Sequence, residues 1–202
     1  MALKAREKKL MNYLAHAYLA ESSDEFLIGS IMGDFVKGPV DDLFDPQIAS
    51  GILFHRRVDT FADNHAMSQA SRNLFSPRCR RYAGVILDIC YDHFLSKNWS
   101  VYTDSDLSEF ITRVYETLQR YHDILPARLQ LVLPRMVRQN WLSCYRTLGG
   151  VDITLGRIAQ RIHRENTLDD SIGEIRKNYG QLERNFHVFF PDLVDFANSF
   201  TV

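Results

Sequence analysis

Two stretches of the chain carry side chains that could do metal or acid–base chemistry at helical spacing. In GILFHRRVDTFADN, residues 51–64, a helix puts Ile48, Ile52, His55, Asp59 and Ala62 on one stripe. A stripe with apolar ends faces the interior, and here it carries an imidazole and a carboxylate one turn apart. Burying both without partners costs on the order of several kcal/mol. A divalent cation or a charged partner would compensate; a His–Asp hydrogen bond that orders the core is the plainer alternative. The second stretch, YAGVILDICYDHFL at residues 82–95, is apolar on every side and predicts a central, covered helix. Inside it Asp88 and Asp92 lie one turn apart, with His93 adjacent. Two like charges that close in a low-dielectric site oppose each other, so one is protonated or a cation lies between them.

Two earlier segments add to the set. MNYLAHAYLA, residues 11–20, has His16 as its one ionisable group. In LIGSIMGDFV, residues 27–36, Leu27, Ile31 and Asp34 share a face, and Gly29 and Gly33 allow a close helix–helix approach. His16, Asp34, His55, Asp59, Asp88 and Asp92 are therefore candidate metal ligands. Mixed imidazole and carboxylate donors suit Mn²⁺, Fe²⁺ or Zn²⁺, and the weight of carboxylate leans away from structural zinc. Such a cation lowers the pKa of water and polarises a phosphoryl oxygen. Arg56 and Arg57 flank His55 and could clamp phosphate oxygens, although they point about 100° and 200° away from it. The doublet His122-Asp123 reads as a solvated helix end, stopped by Pro126. No Walker loop, GxSxG elbow, HExxH or Rossmann glycine pattern occurs.

The elements that must position these groups all read as helices. Helical periodicity covers residues 26–36, 82–95, 106–125, 129–148, 152–164 and 182–200, and Asp45-Pro46 starts the helix that carries His55. Gly38-Pro39 stops the second helix and Gly149-Gly150 a later one. The aromatic stripe Phe186, Phe189, Phe190 and Phe196 reads as core. Trp99, two turns past Asp92, either walls the site or fills core. With no alternating strand pattern, the expectation is all-α: a single helical-bundle domain of eight or nine helices over residues 11–202, behind a frayed segment 1–10.

Bulk composition agrees with a globular chain. Hydrophobic residues make up 46% of the 202 and charged residues 24%. The formal net charge of -1 leaves no global basic field for nucleic acid. Three dispersed cysteines with no CxxC pair give a zinc finger no support and point to reduced thiols in the cytoplasm. No run approaches the roughly 20 apolar residues that a membrane span needs.

Taken together, MNYLAHAYLA, GSIMGDFVKG, GILFHRRVDTFADN and LDICYDHFLSKNW resemble, in order and spacing, the acyl-carrier-protein phosphodiesterase family, also called holo-acyl-carrier-protein hydrolase. The resemblance runs from about Met11 to the carboxyl end. It implies an HD-domain-like α-helical fold and a divalent-metal enzyme, typically favouring Mn²⁺ with Fe²⁺ or Mg²⁺ as alternatives. The implied reaction removes 4′-phosphopantetheine from a serine of holo-acyl carrier protein, leaving the apo carrier. Asp34 matches the aspartate the family needs for activity. His55 and Asp59 match its His-Arg-Arg-x-Asp motif, Asp88, Asp92 and His93 its Asp-x-x-x-Asp-His motif, and His16 the histidine of its first motif. The contiguous His-Asp pair that names the HD superfamily is absent from these motifs. On this reading Asp34 binds the metal or positions water, Arg56 holds phosphate, and His93 or His16 protonates the departing serine. Carrier proteins are acidic, so docking is expected on Arg78, Arg80, Arg81 and Lys97, with Arg128, Arg135 and Arg138 as the second choice. An HD-like phosphohydrolase of nucleotides or small phosphoesters, and a non-catalytic helical carrier-binding module, are the competing expectations.

Overall fold

The glycines of residues 26–51 set the first packing decision. A computed structural model describes residues 13–40, 43–162 and 166–200, so the expected segment 1–10 lies outside the described residues. Helix α1 spans Tyr13–Leu19, α2 Asp24–Met32 and α3 Pro46–Asn64. A Cβ added to Gly29 would sit 2.2 Å from the Ile48 carbonyl oxygen, and one on Gly51 2.3 Å from that of Phe26. Helices α2 and α3 thus cross in direct backbone contact, closer than any side chain permits. Ser23 caps α2 by accepting the Phe26 N–H, and Asp45 caps α3 by accepting the Gln47 N–H, with Pro46 in the first turn.

The remaining helices wrap a central one. They are α4 Ala66–Asn73, α5 Ala83–Lys97, α6 Trp99–Tyr102, α7 Leu107–Arg120, α8 Ala127–Arg138, α9 Leu148–Ala159 and α10 Ser171–Asn198. Among the described residues there is no strand, and nine helices have seven residues or more. The all-α expectation holds, with a count at the upper end of eight or nine. Helix α5 is the axle: Ile86, Ile89, Phe94 and Leu95 are fully buried, and α1, α4, α9 and α10 all pack on it. Helix α10 supplies the aromatic layer, with Phe186 and Phe190 stacked at 5.0 Å. Trp99 packs on Phe110 at 4.8 Å and donates its indole N–H to the Ser105 carbonyl, so it fills core.

Several boundaries differ from expectation for local reasons. Helix α2 ends at Met32, before Gly38, because residues 33–36 tighten into turns on the Met32 carbonyl. Helix α7 stops at Arg120, and His122-Asp123 falls on a separate exposed 3-10 turn. The expected helix over residues 129–148 is two elements, broken where Asn140 takes a left-handed conformation at φ 44°. Pro134 sits inside α8. Gly149-Gly150 opens α9 instead of ending a helix: Thr147 caps the Gly150 N–H, and a Cβ on Gly150 would meet the Cys144 carbonyl oxygen at 1.8 Å. No helix among the described residues is long and apolar enough to cross a membrane.

The backbone contact yields a stability test. Gly29→Ala and Gly51→Ala should each lower stability by about 1–3 kcal/mol, as overpacking does. Gly84→Ala, whose Cβ meets nothing within 4 Å, should be neutral or stabilising. Urea denaturation of the three variants checks this, and equal midpoints would show that α2 and α3 can part without cost.

Candidate metal centre

Two helices and one turn bring their ionisable side chains to one place. His16 comes from α1, His55 and Asp59 from α3, and Asp34 from the turn after α2. Asp59 reaches both imidazoles at their Nε2 edges, with Oδ1 3.3 Å from His16 Nε2 and Oδ2 3.7 Å from His55 Nε2. Asp34 Oδ1 lies 3.6 Å from the same His55 nitrogen. The rings of His16 and His55 stack at 3.9 Å and 21°. Both imidazoles are buried, while Asp59 and Asp34 remain partly open, with side chains 22% and 10% exposed.

The approach of α2 to α3 makes this possible. A Cβ on Gly33 would lie 2.2 Å from His55 Cγ, so the glycine forms the seat of the imidazole. Arg56, next along α3, turns its guanidinium to the loop beyond Asp34. It donates to the Gly38 carbonyl at 2.8 Å and the Val36 carbonyl at 3.0 Å. That strap holds the Asp34 turn and engages both terminal nitrogens of Arg56, the residue expected to hold phosphate, with backbone carbonyls. Ser30 of α2 donates to the His16 carbonyl at 3.2 Å, tying α1 to the same frame.

The second expected ligand set is placed differently. Asp92, fully buried on α5, accepts the Leu14 N–H at 3.1 Å on one oxygen and the Ala15 N–H at 2.9 Å on the other. It anchors the amino end of α1, where a carboxylate is favoured by the free N–H groups. Burial pushes its carboxyl up to about 8, against the pull of those two donors. His93 Nδ1 donates to the Tyr145 carbonyl at 2.7 Å, so in the neutral ring Nε2 accepts a hydrogen bond from the Tyr179 hydroxyl at 2.9 Å. Both ring nitrogens are engaged, and burial lowers its pKa. Asp88 is buried one turn before Asp92, outside the group formed by His16, His55 and Asp59. The expected docking patch is spent on local pairs in part: Lys97 binds Glu183 at 2.7 Å, and Arg78 lies 3.7 Å from Asp170.

The cluster can hold a cation. One ligand atom from each of His16, His55 and Asp59 falls within 4.8 Å of the others, the only such group of three among the described residues. Burial, followed by the neighbouring His55, lowers the His16 pKa to about 4, so its ring is neutral and its lone pair is available at neutral pH. Imidazole and carboxylate donors without thiolate fit a catalytic divalent ion better than a structural one. Sequence reasoning missed Tyr13, one turn before His16. The Tyr13 phenol is buried and held neutral, first by burial and then by the Asp34 carboxylate. Its three-residue spacing from His16 was the available signal.

Comparison with known proteins follows the same motifs. A family model described as acyl carrier protein phosphodiesterase matches residues 11–193. A protein of that name from Photorhabdus laumondii is 34% identical over 190 residues, covering 94% of this chain and 96% of its own. One from Yersinia enterocolitica is 34% identical over 188 residues, covering 93% and 97%. One from Escherichia coli O157:H7 is 33% identical over 185 residues, covering 91% and 96%. No solved structure matches the chain.

His16 gives the site a pH dependence. Its folded pKa of about 4 lies below its ordinary 6.5, so on acidification the unfolded chain takes up the proton first. The stability it contributes is complete above pH 6.5 and is lost as pH falls towards 4, by on the order of 3 kcal/mol. Urea denaturation of metal-free protein at about pH 7.5 and about pH 4.5 should show the loss, and His16→Asn should show less of it. An equal loss in both proteins would assign the dependence to other groups.

Proposed function

The chain belongs to the acyl carrier protein phosphodiesterase family, and from that premise we propose that it hydrolyses the phosphodiester joining 4′-phosphopantetheine to a serine of holo-acyl carrier protein. The products are apo carrier and free 4′-phosphopantetheine. One observation carries the reading: His16, His55 and Asp59, from two helices far apart in sequence, converge in a buried group with Asp34 at its edge. His16, His55 and Asp59 would hold a divalent cation, with Asp34 beside it. Mn²⁺ is the proposed ion, with Fe²⁺ or Mg²⁺ as substitutes. When bound, it activates water and polarises the phosphoryl oxygen.

The chain's own residues supply positioning. Asp59 spans both imidazoles and fixes their mutual orientation. Asp34, partly open, is the carboxylate best placed to orient a water towards the phosphorus. Asp92 and Arg56 act at one remove, the first by gripping α1 and the second by strapping the Asp34 turn. His16, its pKa lowered to about 4 by burial, is not an imidazolium acid at neutral pH, and both nitrogens of His93 are engaged. Neither is therefore assigned the proton donation to the departing serine that its sequence position suggested. A cytoplasmic setting is part of the proposal, supported by three free cysteines.

Incubating the protein with holo-acyl carrier protein and Mn²⁺ should release the prosthetic arm, read as a mass loss on the carrier. A chelator should stop the reaction and added Mn²⁺ restore it. Asp34→Ala should lower kcat by about 10²–10⁴-fold with the helical circular dichroism unchanged. Wild-type turnover in that variant would remove Asp34 from the mechanism. Hydrolysis of small phosphoesters without attack on the carrier would favour a generic phosphohydrolase.

A further inference from the structure

Helix α8 presents an unusual outer face. Arg128, Leu131, Val132 and Arg135 follow at steps of three, one and three, so they form one stripe. Leu131 is 84% exposed. The helix has three arginines and no acidic residue. Its stripe floors a cavity of about 300 Å³, closed on the other side by Tyr13, Phe35, Trp141 and Arg161. Arg161 and Arg157 lie over the Trp141 ring at 5.0 and 5.9 Å. No carboxylate among the described residues pairs with Arg128, Arg135, Arg157 or Arg161. Burial, then the charges of Arg135, Arg128 and Arg157, weaken Arg161's hold on its proton, partly offset by Tyr13. Like charges gathered with no paired carboxylate among the described residues favour an acidic partner.

The position of this cavity ties it to the metal centre. Phe35, on its wall, is the residue after Asp34, and Tyr13, also on its wall, feels the Asp34 carboxylate and the Arg161 and Arg128 charges together. A protein substrate that delivers a serine to the partly exposed Asp34 must rest on the surface around it. The patch at Arg78, Arg80 and Arg81 does not line this groove: it sits at the 3-10 turn that precedes α5, with Arg78 3.7 Å from Asp170.

We infer that the arginine-walled groove between α8 and the Tyr13–Phe35 edge is the docking surface for the acidic face of the carrier protein next to its modified serine. This rests on the carrier-directed reading above. The exposed Leu131 between two arginines selects a helical protein surface over a small anion, because an apolar residue between acidic ones can sit on it. Arg161 from the far wall completes the charge; Arg138, an earlier candidate on the same helix, does not line the groove.

The test uses the full-length protein loaded with Mn²⁺. Arg128→Glu/Arg135→Glu should raise KM for holo-acyl carrier protein at least tenfold, with most of the loss in kcat/KM lying in KM. The salt dependence of KM should flatten, and affinity for apo carrier should fall in parallel. Leu131→Asp, at a side chain exposed in the fold, should raise KM several-fold with an unchanged melting temperature. An unchanged KM and unchanged apo-carrier affinity would overturn the inference while the enzymatic reading stands. So would loss of inhibition by inorganic phosphate with KM intact, which would mark a small-anion site, or a rise in KM with Arg78→Glu/Arg80→Glu instead. If the wild-type protein releases no arm from holo carrier, the enzymatic reading fails, and apo-carrier affinity alone then decides the docking surface.

Discussion

Everything in the candidate site depends on α2 and α3 touching along their backbones. Gly29 and Gly51 leave no room for a side chain at the crossing, and Gly33 leaves room only for the His55 ring. The result places the turn after α2 against the middle of α3, so Asp34 reaches His55 although 21 residues separate them. A wider crossing, at the usual 8–10 Å of side-chain-mediated helix pairs, would separate these carboxylate and imidazole groups. The site's geometry is thus a consequence of missing Cβ atoms more than of any attraction between its members.

Helix α1 poses the opposite problem. At seven residues it is too short to be stable alone, yet it must present His16 within reach of Asp59. The structure solves this from both sides. Asp92 of α5 takes two N–H groups at its start, and Ser30 of α2 takes the His16 carbonyl. Burial of Asp92 opposes ionisation, while the two donors favour it. The fold accepts that conflict in its most covered helix because the anchoring it provides is what orients an otherwise marginal helix.

Much of this was readable from the chain. The stripe of His55 and Asp59 on a helix started by Asp45-Pro46 followed from periodicity and capping, and α3 forms with those limits. The glycine pair one turn apart announced a close helix contact. The fate of Asp88, Asp92 and His93 was not readable in the same way. Buried carboxylates in an apolar helix demand a partner, but sequence cannot say whether that partner is an ion or the free N–H groups of a distant helix. For Asp92 it is the latter, and for His93 a carbonyl and a tyrosine hydroxyl from later segments. Arg128 and Arg135 were legible as a second docking choice, but the groove they border was not, because Arg161 and Tyr13 join them only through tertiary structure. Gly149-Gly150 misled because glycine can open a helix as well as end one when close approach, here to the Cys144 carbonyl, requires it.

Electrostatics then connects the two halves of the molecule's active face. The centre gathers carboxylates, Asp34 and Asp59, around the His16 and His55 imidazoles, and the groove beside it gathers guanidinium groups. Tyr13 lines the groove, and after burial its phenol is influenced by the Asp34 carboxylate and by the Arg161 and Arg128 charges, so both sets act on one side chain. Among the described residues the groove arginines pair with no carboxylate, which leaves them for an acidic surface. A doubly charged ion and a negatively charged protein can then occupy adjoining sites without competing for the same side chains.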